Sequence, residues 1–224
     1  MKKSILFSCL ILTAASQAFA QKDTEAKKIL NQVSQKYKSY DVVKSDFTFT
    51  LDNPQAGIKE TQTGALIAKS KANKFKVVLY SKGGGRVVAQ EIISDGKTQW
   101  TYNRKDNEVQ VNEVDHSGEG LNPAQIFTIY EHGFKYIYNG DQKQNGKVYQ
   151  VIDLTPTDAK KNIFKVRLMI DKAAKQIYSA LLFDKNGTHY SYVVKSFTPN
   201  APVPDKEFTF DAKTHPGAEV VDLR

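Results

Sequence analysis

The sequence is nearly free of cysteine, and the single one, Cys9, lies within a short apolar stretch over residues 5–12. Lys2 and Lys3 precede that stretch, and Ala18-Phe19-Ala20 supplies the small-x-small pattern of a signal-peptidase site, so residues 1–20 read as a secretory signal peptide. Cleavage there would leave 21–224 without a thiol. Such a chain cannot use disulfides, thiolate metal sites or a cysteine nucleophile, and it carries no cysteine for attaching a lipid anchor. Long apolar runs are also missing. The stretch over 5–12 is too short for a hydrocarbon core of roughly 30 Å, which takes about 20 residues, and nothing later is continuously apolar, so the expectation is a soluble exported protein.

Signatures of catalysis are equally scarce. No Gly-x-Ser-x-Gly elbow, Ser-x-x-Lys pair or neighbouring carboxylate pair occurs. His116, His132, His189 and His215 are scattered without metal-ligand spacing or an evident acidic partner, and read as surface or turn residues. Gly83-Gly84-Gly85-Arg86 lacks the Lys-Ser or Lys-Thr ending of a phosphate loop and reads as a hairpin tip. Neither enzyme activity, cofactor nor metal is expected. The formal charge of +8 favours anionic surfaces or partners, and export argues against nucleic acid.

What the chain does have is amphipathic pattern. Over residues 23–40, Ala26, Ile29, Leu30, Val33, Tyr37 and Tyr40 recur at helical spacing with lysines between them, and Asp23 or Thr24 can cap the start. Phe47, Phe49 and Leu51 then alternate with threonines, Leu66 sits in a short apolar stretch, and Phe75, Val77 and Leu79 alternate within a lysine-rich strand. Further strand patterns fall at 87–93, 98–102, 108–111, 136–139, 148–154, 164–170, 176–183, 190–197 and 208–210, roughly ten to twelve in all. Asn53-Pro54, Ala56-Gly57, Asp95-Gly96, Asn139-Gly140, Asn145-Gly146 and Asn186-Gly187 supply turns between them. Residues 122–133 interrupt this rhythm with a helical segment, in which Asn122 caps, Pro123 suits the first turn, Ile126, Phe127 and Tyr130 share a face, and Gly133 stops it.

These patterns predict one domain over 21–224, mainly β with α. Its architecture would be an unclosed, strongly curved antiparallel β-barrel covered by the N-terminal helix and the helical lid. A sheet this wide encloses more volume than ordinary side chains fill, although periodicity does not separate a lined pocket from a packed aromatic core. Phe47, Phe49, Leu66, Phe75, Val77, Leu79 and Trp100 are the candidate lining residues of an apolar cavity, and Ile126, Phe127 and Tyr130 the candidate lid residues. Alternation identifies a face without saying which one looks inward. Lys69, Lys71, Lys74 and Lys76 form a basic cluster, either a solvated face or a rim for an acidic partner or lipid head group.

The segment Ile93-Ser94-Asp95-Gly96-Lys97-Thr98-Gln99-Trp100-Thr101-Tyr102-Asn103 resembles the "SDGKxxWxYN" segment of the periplasmic outer-membrane lipoprotein carrier family, the LolA proteins. The block over 64–79, the lid-like 122–133, Phe208-Thr209-Phe210 and Pro216-Gly217-Ala218-Glu219-Val220 follow in that family's order, covering nearly all of 21–224. The resemblance implies a non-catalytic periplasmic carrier that takes acylated lipoproteins from an inner-membrane lipoprotein-releasing transporter. It would hold their acyl chains in an apolar cavity and pass them to an outer-membrane receptor or its substitute. The family's lid-latching arginine would fall in Lys69-Ser70-Lys71, where this chain has none. Lys69 or Lys71 would then serve as latch or rim, with a point charge replacing a planar five-donor fork. Three alternatives stand beside this reading. One is a carrier of other lipids, and another is an envelope adaptor domain with a solid core that binds a protein through a strand edge or the basic rim. The third, the outer-membrane receptor of the same pathway, is disfavoured by the lack of a lipidated cysteine.

Overall fold

A computed structural model describes residues 23–82, 85–114 and 127–224. The expected signal peptide with Cys9, the Gly83-Gly84 tip, His116 and the start of the lid with Asn122, Pro123 and Ile126 lie outside the described residues.

Helix α1 spans 23–38 and unwinds through a turn at Ser39 and Tyr40, two residues before the expected end. Its apolar stripe is fully committed to packing: Ala26, Ile29, Leu30, Val33 and Tyr37 are each at most 5% exposed. The strands that follow are β1 (Val43–Asn53), β2 (Ile58–Lys69), β3 (Lys74–Tyr80), β4 (Val88–Ser94), β5 (Thr98–Asn103), β6 (Glu108–Glu113), β7 (Phe134–Gln144) and β8 (Lys147–Pro156). They continue with β9 (Ile163–Asp171), β10 (Gln176–Asp184), β11 (His189–Val194), β12 (Thr198–Pro199) and β13 (Glu219–Asp222). All belong to one curved sheet in the order β13-β6-β5-β4-β3-β2-β1-β11-β10-β9-β8-β7, with β12 beside β1. Every pairing is antiparallel except β13 with β6, and β7 and β13 are not paired to each other, so the barrel is unclosed.

Local chemistry explains the hairpins. Asn145 and Gly146 both take positive φ in the two-residue connection between β7 and β8, the turn that matches strand twist. The Asn139-Gly140 pair, expected to turn the chain, instead sits inside β7, where the register shifts between Tyr138 and Gly140. Gly140 at φ 97° absorbs an extra residue as a bulge, so β7 runs well beyond the expected 136–139.

Pairing also sorts the residues by face. Phe47, Leu66, Phe75, Val77 and Leu79 share one face with Ile152, Leu154, Val166, Leu168 and Tyr192, and α1 lies against it. The opposite face of β2 to β6 is covered by the chain beyond β12. The expected strand over 208–210 is absent, because Pro204 leads into a 3-10 turn, Asp205–Phe208, and Phe208 is buried completely as a single anchor. After a second turn, Ala212–Thr214, the chain joins the edge strand β6 as β13.

Among the described residues, no helix is long and apolar enough to cross a membrane.

Candidate functional site

The site builds up from a Gly-aromatic pair. Gly64 on β2 lies opposite Phe47 on β1, and the Phe47 ring rests where a Cβ on Gly64 would stand, 2.5 Å from its outer carbon. Phe47 thereby reaches over Gly64 and walls a crevice with Leu66, Ile177, Ala180, Tyr192, Val194 and, from the lid, Phe127. Ser45 and Ser179 complete the wall. The unfilled space is only about 10 Å³, close to the volume that one water needs.

Above the crevice an aromatic cluster joins the helix, the lid and the segment after β11. The Tyr37 ring lies 4.8 Å from Phe127 and 5.5 Å edge-on from Phe197, and Phe127 and Phe197 are 6.0 Å apart. Tyr192 continues the aromatic wall toward Phe49 at 4.9 Å, and Phe49 stacks on Tyr190 at 6.4 Å. Burial pushes the ionisation of the Tyr37, Tyr130 and Tyr192 phenols to higher pH, so all three are neutral near neutral pH. The Tyr37 and Tyr130 hydroxyls have no hydrogen-bond partner among the described residues.

The described end of the lid, 127–133, is a 3-10 start followed by turns, and Gly133 at φ 77° ends it before β7. It is fastened to α1. Ser34 donates to Glu131 at 2.6 Å and the Lys38 ammonium sits 3.0 Å from the same carboxylate. Burial pushes the Glu131 carboxyl up, but these two contacts outweigh it and hold it below the usual range.

The candidate residues divide accordingly. Phe47, Leu66 and Phe127 lie together at the crevice; Phe75 and Val77 are buried in the same apolar layer beside it; Phe49, Leu79 and Tyr130 pack against that layer. Trp100 does not join them. Its partners in register are Ile93 and Val111, and Ile93 lies opposite Lys76, which places Trp100 on the other face of the sheet. Lys69 and Lys71 do not hold the described end of the lid. Lys69 pairs with Asp205 at 2.5 Å and Lys71 with Asp41 at 2.8 Å. Lys74 and Lys76 also turn to the chain itself, toward Asp205 at 3.4 Å and Glu91 at 2.9 Å, so the basic cluster mainly fastens the C-terminal segment. His215 is likewise not a free turn residue: its Nε2 lies 3.1 Å from the buried Glu91, and its ring is 4.3 Å from Tyr102.

Tyr37, Ile177, Ala180 and Tyr192 were not singled out as site residues. Tyr37 belongs to the helical stripe, and Tyr192 falls in the strand pattern over 190–197. Ile177 and Ala180 were masked by the bulge between Ile177 and Ser179, which breaks the period of β10. Among the described residues, no group of three or more His, Asp or Glu is placed to hold a metal.

The most recognisable motif turns out to be a turn. Asp95 Oδ1 accepts from the amides of Lys97 and Thr98 at 2.8 Å each, Ser94 Oγ accepts from the Gly96 amide at 3.1 Å, and a Cβ on Gly96 would stand 2.6 Å from the Ala72 carbonyl. Ser94-Asp95-Gly96-Lys97 is therefore fixed by backbone geometry between β4 and β5, away from the crevice.

Comparison with known proteins agrees with this architecture. Solved structures of similar fold include an uncharacterized conserved protein from Thermus thermophilus, at 16% identity and a TM-score of 0.55 over 88% of this chain and 99% of that one. A DUF1329 family protein from Desulfovibrio piger aligns at 10% identity and 0.50 over 87% and 99%. A LolA superfamily protein from Nitrosomonas europaea aligns at 14% identity and 0.46 over 83% and 97%. No curated protein matches the sequence. The model of the outer membrane lipoprotein carrier protein LolA matches residues 38–211, most of the chain from the end of α1 past the buried Phe208, and the protein belongs to that family.

Proposed function

We propose that this protein is a non-catalytic periplasmic carrier. Exported by cleavage of residues 1–20, it would bind the acyl chains of lipoproteins on the face walled by Phe47, Leu66, Phe75 and Val77. It would carry them from an inner-membrane transporter to an outer-membrane receptor or its substitute. The observation that carries this reading is the construction of the cover. One face of a thirteen-stranded sheet is apolar from β3 to β8, and what closes it is a helix and a lid resting on aromatic contacts. An acyl chain exposes about 0.8 kcal/mol per methylene in water, so transit between membranes needs an enclosure of this chemistry. The crevice has only about 10 Å³ of free space, far less than the roughly 300–1,000 Å³ of ligand pockets. Loading requires the lid to move away from the sheet, with acyl chains replacing Phe127 on the apolar layer.

The small volume of that crevice favours a second reading, an envelope adaptor with a solid core that binds a protein partner. Native mass spectrometry separates the two. The mature protein is mixed with a purified triacylated lipoprotein and with its unacylated form. A one-to-one complex with the acylated form alone, lost in Phe75→Glu and Phe127→Glu, is the expected result. Binding to both forms alike, or to neither, overturns carriage.

A further inference from the structure

Resting on the carrier reading, we infer that Tyr37 and Tyr130 form a polar subsite for the carbonyl oxygens at the head of the cargo's acyl chains. Their rings are 5% and 3% exposed and belong to the apolar layer beneath the lid. Neither hydroxyl meets a hydrogen-bond partner among the described residues, in a region where nearly every buried polar group of a native protein is paired. The Ile177 backbone acts on the Tyr37 oxygen without reaching hydrogen-bond geometry. An amide there would engage the oxygen only as acceptor and leave the phenol proton undonated. Each hydroxyl is thus a donor waiting for an acceptor.

Their setting says which acceptor fits. The Tyr37 ring contacts Phe127, and Phe127 and Ile177 both wall the crevice, so Tyr37 stands just behind that wall, with Tyr130 as its neighbour in the same apolar layer. Hydrocarbon offers no acceptor, whereas an ester or amide carbonyl at the chain's head offers a neutral one. An anion is disfavoured. Of the charged groups near the two rings, Glu131 is held by Lys38 and Ser34 and Lys36 donates to the Ala174 carbonyl, while His132 and Tyr40 are the other titratable neighbours. Glu131 acts on Tyr130 as a negative neighbour, so a fatty-acid carboxylate would meet repulsion there and lose its hydration. The subsite therefore selects esterified or amidated acyl chains over free fatty acids.

The test is competition binding of the mature protein with three probes: a triacylated lipopeptide, its dialkyl-ether analogue with matched chains, and palmitate. Wild type should prefer the ester lipopeptide over both others. Tyr37→Phe and Tyr130→Phe should each weaken ester binding by about fivefold, the effect of one neutral hydrogen bond, and leave the ether analogue unchanged. Neither substitution should lower the melting temperature, since each removes a hydroxyl with nothing to hold. Variants that bind the ester as wild type does, lose both lipopeptides equally, or melt markedly earlier would overturn the subsite while leaving carriage intact. Wild type that binds no acylated probe overturns carriage and the subsite together.

Discussion

Replacing Gly64 by alanine should destabilise the protein through one side chain. Gly64 does not occupy the left-handed region, so alanine is conformationally acceptable there and the cost is steric alone. The new Cβ would stand 2.5 Å from the Phe47 ring tip and 2.7 Å from the Val78 carbonyl oxygen. The carbonyl belongs to β3, whose ladder with β2 pairs Gly64 with Leu79 and Ala65 with Val78, so it cannot withdraw without loosening both strands. Phe47 must move instead, into a crevice with only about 10 Å³ to spare. Overpacking of this kind costs about 1–3 kcal/mol, and for a domain of this size each kcal/mol lowers the melting temperature by about 2–4 °C. A drop of about 2–12 °C in a thermal melt is expected, with weaker binding of a triacylated lipopeptide. Phe47→Leu in the Gly64→Ala background should cost less than in wild type, because the ring it shortens is the one displaced. An unchanged or higher melting temperature for Gly64→Ala, or strict additivity of the two changes, would refute the packing argument.

Acid should destabilise the fold through two half-buried carboxylates. Burial pushes Asp153 and Asp171 up, but the Arg167 fork at 2.7 and 2.8 Å outweighs it for Asp153. The Ala174 and Ala173 amides with Lys147 do the same for Asp171. Both are held below their unfolded values, so the stability they confer is complete above about pH 5 and lost as pH falls through about 4 and below. Urea midpoints should decline over that window, less steeply in Asp153→Asn, and a flat profile would discount both pairs. Glu131→Ala should speed amide hydrogen exchange over 127–133 while costing no more than about 1 kcal/mol of global stability; unchanged exchange would mean that the Ser34 and Lys38 contacts do not hold the lid. The single tryptophan, Trp100, should keep its emission when acylated cargo binds, since it sits on the face away from the crevice, and a large shift would contradict that placement.

The sheet was legible because period-two alternation and turn residues are local signals. The stripe from Ala26 to Tyr37 and the runs through Phe47 and Phe75 carry their own geometry, and the family's motif needs only four residues to build its turn. What resisted reading was non-local. Trp100 alternates as regularly as Phe75 does, but which face it takes depends on the successive pairings from β2 to β6 and on a C-terminal segment that supplies a second buried surface. The lysine cluster from Lys69 to Lys76 looked like a rim because its partners, Asp41, Asp205 and Glu91, lie up to 136 residues away in sequence. Asn139-Gly140 has the composition of a turn, and only the continued pairing of β7 with β8 shows that the positive φ serves a bulge.

The distribution of polar contacts bears on how such a carrier would open. With Lys69 and Lys71 engaged to Asp205 and Asp41, the described part of the lid is held to α1 through Glu131 and, at its end, to the chain after β8 through the Gly133 carbonyl, which accepts from the Thr157 amide and hydroxyl. Lid and helix are thus tied to one another; the Gly133 carbonyl and the Lys36 ammonium fasten their ends, and between these they rest on the sheet through Tyr37, Phe127 and Phe197 with the apolar stripe of α1. Lifting this cover exposes apolar surface, at about 25 cal/mol per Å². An acyl chain that slides under it restores the same kind of contact. Opening without cargo is therefore opposed mainly by the hydrophobic effect, and opening onto cargo is nearly an exchange of one apolar partner for another. A charged latch would add salt sensitivity to that exchange. On the carrier reading, a cover closed mainly by apolar contacts would make loading depend on whether acyl chains are within reach, at a membrane or at a partner that presents them.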